Sequence, residues 1–153
     1  MKFITPISLL SLFLSSALAV PTPETNAAAA TAVSVSYDQA YDVAGTSMST
    51  VSCSDGIYGL MTKWPTFGSV PGFPRIGGAP TIPGWNSPNC GKCYALHYAA
   101  GNIDNTIYIT AIDAAPGGFN IGLNAMNQLT NGLATQLGRV QATYEEADPS
   151  LCA

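Results

Sequence analysis

The chain has 153 residues with 9 acidic and 5 basic side chains, and only 9% of its residues are charged, against about 25% in a typical soluble chain. An acidic balance without a Lys/Arg cluster excludes nucleic acid and anionic membrane as natural partners. The surface falls instead to Ser, Thr, Asn, Gly and backbone, which suits a neutral polymer such as a polysaccharide, or an air–water or wall interface.

Lys2 followed by the uncharged, mostly apolar run from Ile4 to Leu18, with Ala17-Leu18-Ala19 as an A-x-A cleavage site, has the layout of a secretory signal peptide. The run is shorter than the ~20 residues a spanning helix needs, and Ser and Pro interrupt it. No later stretch is long and apolar enough to span, so the mature protein is expected to be secreted, extracellular or in the cell wall. Residues 20–32 (VPTPETNAAAATA) offer almost nothing to bury and read as a disordered or processed linker. One folded domain is then expected over residues 33–153, a length that suits a single core.

Within that domain, Val33 to Tyr41 opens with strict alternation and reads as a strand with Val33, Val35 and Tyr37 on one face. Tyr41 falls on the same face. Met48 to Cys53 reads as another short strand, and Gly56 to Trp64 as a short helix or turn closed by Pro65. Six prolines from Pro65 to Pro88 make the stretch up to Cys90 a long, ordered, irregular loop. Tyr94 to Tyr98 and Thr106 to Ile112 are strands joined by a turn at residues 101–105. Asn120 then stands as N-cap before a helical pattern of Leu123, Met126 and Leu129, with Gly132 as its stop. Gly138 to Tyr144 alternates again and forms the last strand. Short strands, one good helix and long Gly/Pro loops predict a small, mainly β barrel.

Four cysteines, Cys53, Cys90, Cys93 and Cys152, read in an exported chain as two disulfides with three possible pairings. An oxidising compartment and an even count favour structural bridges over a redox dithiol at Cys90-Gly91-Lys92-Cys93. A metal site is disfavoured, because His97 is the single histidine and bridging consumes the thiols. No cofactor is expected.

The motifs say more than the periods. Tyr37-Asp38-x-x-Tyr41-Asp42, Cys53-Ser54-Asp55-Gly56 and Gly59-Leu60-Met61 come first. Gly77-Gly78-x-Pro80-x-Ile82-x-Gly84-Trp85-Asn86-Ser87-Pro88-x-Cys90-Gly91-x-Cys93 follows, then Asp113 with Gly117-Gly118-Phe119-Asn120, and Gly138-Arg139-Val140 before the terminal cysteine. Across Val33 to Cys152 the chain resembles the cerato-platanin family of small secreted fungal proteins. The resemblance implies a six-stranded double-psi β-barrel related to the first domain of expansins, with bridges Cys53–Cys90 and Cys93–Cys152. It also implies binding of chitin or N-acetylglucosamine oligomers, loosening of polysaccharide assemblies, self-assembly at interfaces, and perception by a plant receptor as an elicitor. Hydrophobins share secretion and interface activity, but their pattern needs eight cysteines.

Barrel hydrolases of related shape need two carboxylates across the scissile bond. Asp113 resembles the retained acid of expansin-like barrels, but the expansin-type His-Phe-Asp tripeptide is replaced by Ala111-Ile112-Asp113. No Gly-x-Ser-x-Gly elbow is present, and His97 inside a strand reads as a packed or edge residue. The expectation is a binding protein without catalysis. Its sugar face is assigned to Asp113, Gly117, Gly118 and Asn120, with Tyr37 and Asp38 as neighbours. Each has a structural alternative: backbone donors for Asp113, helix capping for Asn120, a turn for the glycines, and a packed strand face for the tyrosine. Trp85 reads either as a sugar-stacking ring or as satellite core in a disulfide-stapled loop. The rival function is an amphipathic coating or signalling protein without a sugar groove, which requires an exposed apolar patch.

Overall fold

The computed structural model describes residues 29–153. The signal-peptide segment and most of the linker lie outside the described residues. Six strands form a closed barrel: β1 (Thr31–Tyr37), β2 (Ile76–Ala79), β3 (Cys93–Ala100), β4 (Ile103–Ala114), β5 (Phe119–Ile121) and β6 (Arg139–Ala147). Their order around the barrel is β1-β5-β2-β4-β3-β6, and β6 closes back onto β1. The β1/β5 and β2/β4 pairs are parallel and the others antiparallel. Helices α1 (Leu123–Leu129) and α2 (Ala134–Leu137) lie between β5 and β6. Closure leaves no free sheet edge to aggregate.

Alternation places the core. Val35, Ile107, Ile109, Phe119, Ile121, Val140 and Ala142 are buried on alternate positions of their strands. At one end Phe119, Tyr94 and Tyr144 meet edge to face, with ring centroids 5.2–5.9 Å apart, a geometry worth about 0.5–1.5 kcal/mol per pair beyond burial. Helix α1 seals the core with Ala125, Met126 and Leu129.

Several boundaries depart from the sequence reading. The first strand opens at Thr31 and ends at Tyr37, where Asp38 caps a 3₁₀ turn over Gln39–Asp42. Thr31 and Ala32, expected in the linker, pair with Tyr144 and Thr143. Tyr41 therefore lies on that turn, buried and stacked on Phe67, and shares no strand face with Tyr37. Met48 to Cys53 is no strand. Ser47 caps a 3₁₀ turn at Met48–Thr50, and the segment meets β4 through Cys53 N–H donating to Ile112 O and Ser52 N–H donating to Asp113 Oδ1. The proline-rich loop contains β2, which is wholly buried between β4 and β5. A side chain at Gly77 would strike the backbone of Asn120 and Ile121, so this strand is built from small residues because its neighbours approach closely.

Both bridges pair as the resemblance implies. Cys53–Cys90 staples the loop after the first turns to the loop before β3, and Cys93–Cys152 ties β3 to a C-terminal 3₁₀ turn.

Candidate functional site

Asn120 is not the N-cap of α1. It sits in the middle of β5, in register with Ser36 of β1 on one side and Gly78 of β2 on the other. The helix begins after Gly122, and its first N–H groups donate to a carboxylate from far earlier in the chain: Leu123 N to Asp42 Oδ2 at 2.7 Å and Asn124 N to Asp42 Oδ1 at 3.2 Å. With capping done by Asp42, the Asn120 amide is free for the outer surface, since its neighbours Phe119 and Ile121 are the inward residues. Its Oδ1 accepts from Ser36 Oγ at 3.2 Å, and among the described residues its Nδ2 has no acceptor.

Asp113 of β4 pairs with Gly78 from the other side, so Ser36, Asn120, Gly78 and Asp113 form one row across four neighbouring strands. A bulge between Gly77 and Gly78 sets this register and turns Asp113 outward while Ile112 stays buried. Two strand spacings put Asp113 about 10 Å from Asn120. The room above Gly78 is taken by Ala115, whose Cβ lies 2.9 Å from where a Gly78 side chain would begin. That methyl divides the row.

One half is an open cavity of about 330 Å³ lined by Ser36, Ala115, Pro116, Gly117, Gly118, Asn120 and Arg139. Gly118, at φ 129°, packs against the Ser34 carbonyl where a side chain would collide. Arg139 Nη1 donates to Ser34 Oγ at 2.7 Å, which holds a guanidinium at the rim. The other half is a cavity of about 360 Å³ lined by Asp38, Ala40, Tyr41, Thr46, Thr50, Val51, Phe67 and Asp113.

In this second cavity the carboxylates are already engaged. Asp113 Oδ2 accepts from the Tyr41 hydroxyl at 3.0 Å, and Oδ1 accepts from Ser52 N at 2.9 Å and Ala114 N at 2.8 Å. Asp38 Oδ1 accepts from Ala40 N at 2.9 Å. Burial pushes the Tyr41 phenol well above its ordinary value, and the charge of Asp113, their hydrogen bond and the charge of Asp38 push it the same way. Tyr41 is thus held as a neutral donor.

The predicted residues therefore separate. Gly117, Gly118 and Asn120 share one cavity, Asp113 and Asp38 the other, and Tyr37 lines neither, its ring packing against the core. Ser36 and Arg139 were missed. The alternation of β1 that buries Val35 would have turned Ser36 outward, and Arg139 stands in the Gly138-Arg139-Val140 motif without a role assigned. His97 is exposed on β3, its Nε2 2.8 Å from Asp104 Oδ1 on the facing strand.

The cerato-platanin family model matches residues 33–153. The chain belongs to the cerato-platanin family. It is similar to allergen Asp f 15 of Aspergillus fumigatus, 76% identical over 153 residues, covering 100% of this chain and 98% of that protein. Among solved structures it is similar to cerato-platanin 1 from M. perniciosa, with TM-score 0.78 and 47% identity over 79% of this chain and 99% of that one. It is likewise similar to the solution structure of the fungal elicitor cerato-platanin, with TM-score 0.70 and 45% identity over 78% and 96% of the two chains. These structural likenesses extend over most of the described chain.

Proposed function

We propose that this cerato-platanin is a secreted, non-catalytic protein that binds neutral amino-sugar oligomers of the chitin type, with loosening of polysaccharide assemblies and elicitation in plants as consequences. The observation that carries the reading is the outward row Ser36–Asn120–Gly78–Asp113 with an open cavity beside Asn120. An amide that donates and accepts, a hydroxyl and a guanidinium suit the hydroxyl and acetamide groups of N-acetylglucosamine. The acetamide carbonyl would accept from Asn120 Nδ2, and Arg139 would bond sugar hydroxyls at the rim.

Absence of catalysis is argued from the carboxylates. Glycoside cleavage needs one acid free to protonate the leaving oxygen and a second group across the bond. Both Asp113 oxygens already accept protein donors, and Asp38 Oδ1 caps a 3₁₀ turn. The elicitor role rests on the relative whose structure is described as a fungal elicitor. Secretion rests on the Lys2–Ala19 layout and on two structural disulfides.

Calorimetric titration with N-acetylglucosamine oligomers tests the reading. The parent binds, and Asn120→Ala weakens binding by about 1–3 kcal/mol, the loss of one or two directional bonds to the ligand. A folded variant that binds as tightly as the parent places the sugar elsewhere. A parent that binds none favours the coating and receptor-recognition reading.

A further inference from the structure

Trp85 is 64% exposed, although it sits in a loop stapled by Cys53–Cys90. It is not satellite core. Its indole Nε1 donates to Asp55 Oδ1 at 2.6 Å, and its Cζ2 lies 3.2 Å from where a side chain on Gly56 would begin. Asn86 Oδ1 accepts from Tyr58 N at 3.0 Å, which locks the two loops together beside the ring. Ile57, Tyr58 and Met61 on the same loop are also exposed, at 87%, 46% and 37%.

We propose that this ring is a second carbohydrate-contacting site, taking the flat face of a β-1,4-linked pyranose chain in an insoluble polysaccharide. An exposed indole presents apolar area at low entropic cost only if its orientation is fixed, and here a hydrogen bond, a glycine and a disulfide fix it. Pyranose rings carry axial C–H groups on their faces and hydroxyls at their rims. Beside the indole, among the described residues, Asp55 Oδ2 has no protein donor and Asn86 Nδ2 no protein acceptor. An acceptor and a donor flanking an aromatic plane match the rim hydroxyls of a sugar stacked on it.

A second copy of the chain fits less well. The four exposed side chains offer roughly 500 Å², short of the ~800 Å² per partner that a standard interface buries. The carboxylate and amide beside the ring would also need partners in such an interface. The proposal takes only its ligand class from the carbohydrate reading above, and does not depend on the Asn120 cavity.

The test is adsorption of the full protein to microcrystalline chitin and cellulose particles, read by depletion from solution. A Trp64→Phe background leaves Trp85 as the sole tryptophan, so its fluorescence reports the same event. Trp85→Ala lowers the partition coefficient tenfold or more, and Trp85→Phe restores most of it. In the Trp64→Phe background, emission shifts to the blue and quenching by acrylamide falls on the particles. Soluble-oligomer titration of Trp85→Ala matches the parent, so loss of the cavity reading and loss of this one give different patterns. Should Trp85→Ala fail to fold, the fluorescence readout on Trp64→Phe decides alone. Unchanged adsorption in Trp85→Ala, unchanged emission on the particles, or no adsorption by the parent would overturn the proposal. So would concentration-dependent dimerisation that Trp85→Ala abolishes, because the occupant would then be a second copy.

Discussion

Asp113 gathers donors from three parts of the chain: the Tyr41 hydroxyl, the Ser52 amide beside Cys53, and its own neighbour Ala114. The side chain is thus a tie between the early turns and β4 as well as a candidate ligand. Asp113→Ala leaves the buried Tyr41 hydroxyl and the Ser52 amide without partners, at about 1–3 kcal/mol each. Chemical denaturation is expected to show a loss of roughly 2–6 kcal/mol, and an unchanged midpoint would refute the tie. Weakened sugar binding in that variant would mix fold with site, so Asn120 is the cleaner probe. Tyr41 adds a pH dependence. Its folded-state value is raised, mainly by burial and then by Asp113, above the ~10 of an unfolded tyrosine. The associated stability is present in full below about pH 10 and is lost as pH climbs, because the unfolded chain ionises first. Tyr94, raised by burial against a lowering bond to Thr81, acts in the same direction. Tyr41→Phe is therefore expected to cost about 1 kcal/mol at neutral pH and to flatten the fall in melting temperature between pH 9 and 11. An equally steep fall would assign the alkaline loss to Tyr94 alone.

At the level of elements, β3, β4, β6 and the body of α1 were legible because alternation and helical spacing are written in apolar residues. Gly132, at φ 83°, does stop the helix, its N–H donating to Asn127 O at 2.8 Å. What failed was decided by distant partners. Ile76-Gly77-Gly78-Ala79 has no periodicity of its own and lies between Pro74 and Pro80, yet the barrel needs a narrow strand there. Asn120 looked like a cap because nothing local reveals that Asp42 arrives from 81 residues away. Asp42→Ala is expected to remove both cap bonds of α1 and cost about 1–2 kcal/mol, with faster amide exchange at Leu123 and Asn124. Normal protection at those amides would show that the helix start does not depend on the carboxylate. For the site, the sequence reading put Asp113 at the end of a strand and Gly117-Gly118 in a turn, but it missed β2, β5 and the methyl of Ala115, which splits one expected face into two cavities.

The whole molecule is held by a small closed barrel and two long covalent loops. Cys53–Cys90 and Cys93–Cys152 span 37 and 59 residues, for which chain-entropy arithmetic assigns roughly 4 kcal/mol each. That is a large share of the 5–15 kcal/mol typical of a domain. Reduction is expected to lower the melting temperature by well over 10 °C, and Cys93→Ser/Cys152→Ser should free the C-terminal turn from β3. A melting temperature indifferent to reductant would contradict this. On the same scale the barrel turns a row of polar side chains to one outer face and the stapled Trp85 loop to solvent, while few charges compete for either. The first of these faces is the one proposed to receive a sugar without cleaving it. The most direct measurement is an amide-resolved NMR titration of the full protein with N-acetylglucosamine oligomers, with the oligomer's own signals followed over a day. Saturable shifts are expected, confined to Ser36, Gly117, Gly118, Asn120, Arg139 and their strand neighbours, with the oligomer intact. Shifts elsewhere, none at saturating oligomer, or the appearance of shorter oligomers would contradict the proposal.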